Sequence, residues 1–82
     1  MNDYQERVFY AAIKHERESS PGFRYKIWES KGYLILVPIL TDNENIVYLG
    51  SVIVHNNKIW GINPLIISEL EKLLERNSTL DE

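Results

Sequence analysis

The sequence predicts an α+β fold: a four-stranded antiparallel meander flanked by an N-terminal and a C-terminal helix, in the order α-β-β-β-β-α, with both helices mainly on one face. Three observations carry this expectation. Apolar residues recur at helical spacing near both chain ends. Between them lie segments of strand length, either alternating or continuously apolar. The connections between those segments are too short for crossovers, which leaves antiparallel pairing. A chain of 82 residues supports one hydrophobic core, so residues 1–82 are read as a single domain with 77–82 as a frayed tail.

The first helix is expected from about Asp3 to Ser19. Asn2 or Asp3 caps it, with Gln5 or Glu6 three residues on to complete a capping box. Tyr4, Val8, Ala11, Ala12 and His15 form its apolar stripe, widened by Phe9 and Ile13, while Gln5, Glu6, Arg7, Lys14, Arg17 and Glu18 are placed on the opposite face. Ser19-Ser20-Pro21-Gly22 ends it, because proline disfavours helical geometry in the residue before it. Strand one, Phe23 to Ser30, alternates Phe23, Tyr25 and Ile27 with Arg24, Lys26 and Trp28. A tight turn at Gly32 leads into strand two, Tyr33 to Leu40, which is apolar on both faces; Pro38 marks a bulge, an edge, or the point where pairing stops.

A polar hairpin loop is expected over Thr41 to Asn45, followed by one long strand three from Ile46 to His55 with Gly50 as a kink. Asn56-Asn57 suits a type I′ turn, since asparagine tolerates the left-handed region, and strand four follows from Lys58 to Ile62. Asn63 is a good N-cap and Pro64 suits the first helical position of the last helix. Leu65, Ile66, Ile67, Leu70, Leu73 and Leu74 give that helix a wide apolar face. The predicted core is Val8, Ala12, Tyr25, Ile27, Leu34, Leu36, Val52, Val54, Leu70 and Leu73.

Composition narrows the function classes. With no cysteine there is no disulfide framework, thiolate nucleophile or Cys-type zinc site. The net charge is −3, and the acidic excess sits after residue 63, where two Lys/Arg face five Asp/Glu. That balance argues against broad binding to phosphate backbones and against a polybasic membrane anchor. The first six residues do not resemble a secretory signal, and the longest apolar run, Tyr33 to Leu40, is too short to cross a bilayer. A cytoplasmic address is therefore expected.

Few residues are candidates for chemistry. Ser51 and His55 share a strand face but stand roughly 13 Å apart, beyond hydrogen-bond reach. His15 and His55 are the only imidazoles, and His15 falls on the apolar stripe of the first helix, where packing explains it. Asp42-Asn43-Glu44-Asn45 offers oxygens, but Ile46 breaks a calcium-loop pattern. The four glycines stand alone, without a phosphate-cradle fingerprint. No catalytic, cofactor-binding or metal-ligating residue is assigned, and no enzyme activity or cofactor is expected.

The informative feature is surplus apolar surface on the sheet. If Phe23, Tyr25 and Ile27 meet the helices, then Trp28, Arg24 and Lys26 point away, beside a face built from strands two to four. Either the helices split over both faces, or the sheet curls on itself, or this face is a contact surface. The last reading makes Arg24, Lys26, Trp28, Tyr33 and Trp60 the candidate partner-binding residues. The expected role is a non-catalytic protein–protein interaction or self-associating module, with a homo-oligomer expected and nucleic acid and membrane not. The alternative is a small-ligand or single-stranded nucleic-acid binder using the Arg24/Lys26/Trp28 strand. The helix–meander–helix order is also similar to that of many small bacterial and phage proteins, among them immunity proteins, antitoxins and host-enzyme inhibitors. That similarity is one of architecture and implies no residue roles.

Overall fold

A computed structural model describes residues 1–80 of the chain. Part of the tail expected to fray, residues 81–82, lies outside the described residues. The element order is α1 (Asp3–Glu18), β1 (Phe23–Ser30), β2 (Tyr33–Asp42), β3 (Asn45–Tyr48), β4 (Val52–His55), β5 (Lys58–Gly61) and α2 (Pro64–Leu80). The fold is α+β with a helix at each end and an antiparallel sheet, as the sequence predicts. The sheet has five strands rather than four.

Local chemistry sets the helix ends. Asn2 caps α1: its Oδ1 accepts from the Gln5 N–H at 2.8 Å, and Gln5 Oε1 accepts from the Asn2 N–H at 3.1 Å. Asn63 caps α2 by accepting from the Leu65 N–H at 3.1 Å, and its amide donates to the Leu49 carbonyl at 3.1 Å. Gly22 follows α1 where the chain must pass close to β2. A Cβ there would lie 2.2 Å from the Thr41 carbonyl oxygen.

Strand order is β1-β2-β4-β5, with β3 also paired to β2. Residues 31–32 and 56–57 turn the β1–β2 and β4–β5 hairpins with positive φ at each position, as type I′ requires. The loop expected over Thr41–Asn45 is a two-residue turn, because Asp42 and Asn45 already pair.

The long strand three of the sequence reading is two strands. Leu36 pairs with Val52 and Ile39 with Tyr48, so two residues of β2 face three on the other side, Leu49, Gly50 and Ser51. That is a β-bulge. It lies beside Pro38 of β2, whose carbonyl accepts from the Leu49 N–H at 2.9 Å but which has no N–H to return on the same side. Gly50 absorbs the irregularity at φ 95°.

Both helices pack on one face of the sheet. The core joins Val8, Ala11 and Ala12 of α1 and Ile66, Leu70 and Leu73 of α2 to Phe23, Tyr25, Leu34, Leu36, Val52 and Val54. Nine of the ten predicted core residues are buried, and Ile27 packs half-buried against them. Two placements are corrected. Leu65, counted on the apolar face of the last helix, is 76% exposed. Gln5, assigned to the polar face, is 3% exposed, and its Nε2 donates to the carbonyls of Gly32 (2.8 Å) and Val54 (2.9 Å). It ties the start of α1 to the sheet and satisfies carbonyls that the helix covers.

Candidate interaction surface

Alternation along each strand sends one set of side chains to the helices and the other to the uncovered face. Pairing aligns the outward set in rows. Trp28 lies opposite Ile35, Ile35 opposite Ile53, and Ile53 opposite Trp60, so one row crosses all four strands of the main path. The row spans about 15 Å between the axes of β1 and β5 at the usual strand spacing. Its two indoles are 52% and 54% exposed, and Ile53 is 37% exposed. On the opposite face Leu34, Leu36, Val52 and Val54 are fully or almost fully buried. The surplus apolar surface therefore lies on the face the helices leave open.

The other rows frame this one. Tyr33 stacks on His55 with ring centroids 4.0 Å apart, and the His55 Nδ1 lies 3.1 Å from the Gly32 carbonyl. Lys58 holds its ammonium 5.7 Å from the centre of the Trp60 ring, a cation–π contact at the β5 margin. On β1, Lys26 stands opposite Val37 and Arg24 opposite Ile39. Arg24 donates to the carbonyls of Pro21 (3.2 Å) and Phe23 (3.3 Å), which draws its guanidinium towards the start of the strand. A shallow apolar depression lies between Ser51, Ile53, Trp60, Gly61 and Ile62.

All five sequence-predicted residues, Arg24, Lys26, Trp28, Tyr33 and Trp60, belong to this face. The structure adds Ile53 and Ile62 at its β4–β5 side, and Ile46 and Tyr48 on β3. Every residue of β3 is exposed, because the β2–β3 hairpin runs past the helices. The signal for Ile53 was present in the strand alternation, but its side depends on the bulge.

The two histidines serve packing. His15 presses its ring on Phe23, with centroids 4.9 Å apart, and its Nδ1 lies 2.7 Å from the Tyr25 hydroxyl. Burial lowers the His15 pKa below its ordinary value, against the opposing pull of Glu69 and Glu18. Burial also raises the Tyr25 hydroxyl well above its usual range, helped by Glu69 and Glu16. Glu16 accepts from the Tyr25 N–H at 2.9 Å, so it caps part of the free β1 edge. Ser19 donates its hydroxyl to the His15 carbonyl at 2.6 Å. Among the described residues no three His, Asp or Glu converge to hold a metal, and no helix is long and apolar enough to cross a membrane.

No protein-family model matches the chain, and neither a curated protein nor a solved structure shows significant similarity to it.

Proposed function

We propose that this chain is a non-catalytic protein-interaction module whose working surface is the sheet face opposite the helices. The observation that carries the reading is the row Trp28–Ile35–Ile53–Trp60, apolar across the sheet and half-exposed at both ends. Monomeric proteins seldom leave a continuous apolar patch of this kind in water. Half-exposed tryptophans around an aliphatic centre, with Lys and Arg at the margin, have the make-up of a binding hot spot and its rim. The centre itself is Ile35, Val37 and Ile53, three β-branched aliphatics suited to packing against another protein's side chains.

The test places a photo-crosslinking amino acid at Ile53 of the full chain in its host cell, with a second at Glu71 on α2 as control. A discrete adduct at Ile53, lost when Trp28→Glu is added and not formed from Glu71, is expected. The adduct's mass separates a second copy of the chain from a different protein. An adduct-free Ile53 position would sink the proposal.

A further inference from the structure

We infer that the occupant of this face is an acidic-rimmed protein surface: an apolar strip edged by carboxylates, rather than a second copy of the chain. The inference rests on the interaction reading above and names the chemistry of the partner. The outward positions of the five strands carry three cations, Arg24, Lys26 and Lys58, and no carboxylate. The acids of the same region are elsewhere: Glu29 and Asp42 have the opposite strand parity, and Glu44 is in a turn. Glu29 is engaged with the N-terminal ammonium. In a chain of net charge −3, this face runs against the overall balance.

A symmetric dimer built on the face meets an electrostatic obstacle. A two-fold contact uses the same patch on both copies. With the strands of the two sheets aligned, it sets the β1 margin of one copy against either the β1 or the β5 margin of the other, and both margins carry cations. Neither arrangement brings a carboxylate to them, and like charges brought together at an interface oppose association. A foreign surface with acids flanking an apolar strip removes the conflict. Lys26 is the natural contact: it is exposed, lies between Arg24 and Trp28 on one face, and makes no ion pair among the described residues. Outward side chains on a strand repeat about every 6.6 Å, which matches carboxylates at alternate positions of an extended partner strand. Nucleic acid is the weaker fit, because the centre of the face is aliphatic rather than a platform of rings and only three cations flank it.

The experiment titrates isotope-labelled full-length protein with three ligands, followed by amide NMR shifts. They are an acidic peptide alternating Asp/Glu with Val/Phe, its twin with every acid replaced by Lys, and a ten-nucleotide oligo-dT. The acidic peptide alone is expected to shift amides of β1, β4 and β5. Lys26→Glu with Lys58→Glu, both exposed positions, is expected to weaken it about tenfold, and so is raised salt. Equal binding of the Lys twin would overturn the charge assignment while leaving the interaction face intact. Tighter binding of oligo-dT would assign the face to nucleic acid. If no ligand binds and light scattering shows a dimer that Trp28→Glu dissolves, the occupant is a second copy. If no ligand binds, the protein is monomeric and Ile53 gives no crosslink, the interaction reading fails together with this one.

Discussion

Replacing Gln5 by leucine should destabilise the domain far more than a helix-surface change, although the two side chains are similar in size. Gln5 donates two hydrogen bonds from Nε2, to Gly32 and Val54, and accepts a third at Oε1 from Asn2. Each intramolecular hydrogen bond contributes about 1 kcal/mol net, and the carbonyls left behind are covered by α1. Leucine returns part of the loss through apolar burial, leaving a cost of about 2 kcal/mol. An 82-residue domain has a total stability of about 4–12 kcal/mol, so the fraction lost is large. The assay is urea unfolding by circular dichroism, with a melting temperature lowered by about 10 °C as the companion reading. A companion variant, Gln5→Glu, sets a carboxylate against two carbonyl oxygens at neutral pH and should be worse. Its buried carboxyl has a folded pKa raised above the unfolded value. It should therefore be least harmful below the unfolded pKa and lose stability as pH rises through the folded one. A Gln5→Leu protein within about 0.5 kcal/mol of the parent would refute the reasoning, since surface substitutions fall in that range.

Further outcomes follow from the same contacts. Gly22→Ala drives a Cβ into the Thr41 carbonyl and must separate α1 from the β2 end; a loss of about 1–3 kcal/mol in chemical denaturation is expected, the usual range for overpacking. His15 has its pKa lowered in the fold, so its neutral form is favoured there and the unfolded chain binds more protons over the intervening window. Its contribution is present above the unfolded value of 6.5 and is lost as pH falls through the folded pKa. His15→Phe should flatten that acid-side decline in a melting-temperature profile, and an unchanged slope would contradict it. Leu36→Ala, at a fully buried position, should cost about 2–5 kcal/mol. Ile46→Ala, on the projecting hairpin, should stay within about 0.5 kcal/mol in the same denaturation series.

Features with local causes were legible in the sequence. Asn63-Pro64, Asn2 with Gln5, and Asn56-Asn57 each satisfy a backbone requirement within a few residues, so helix ends and hairpin turns could be read directly. Period-two alternation likewise put Phe23 and Tyr25 inside and Trp28 outside. The misses depended on contacts distant in sequence. Gln5 reads as a surface residue until the Gly32 and Val54 carbonyls are brought over it. Pro38 and Gly50 were legible as sites of a bulge and a kink, but that the two meet and split strand three shows only in the pairing register. For the candidate face, the membership of Trp28 and Trp60 was legible, but their alignment in one row was not.

That alignment hangs on one residue. The β3 register pairs Ile39 with Tyr48; continued without the bulge, it would set Ile35 opposite Val52 instead of Ile53. Directly paired residues share a face, so Val52 and Val54 would turn outward and Ile53 would enter the core. The two-residue turn at 56–57 fixes Trp60 opposite Ile53, and Trp60 would follow it under the helices. The extra residue at Leu49-Gly50-Ser51 lets β3 keep its pairing with β2 while returning Val52 and Val54 to the core. The single inserted residue beside Pro38 thus puts both tryptophans on the same open face.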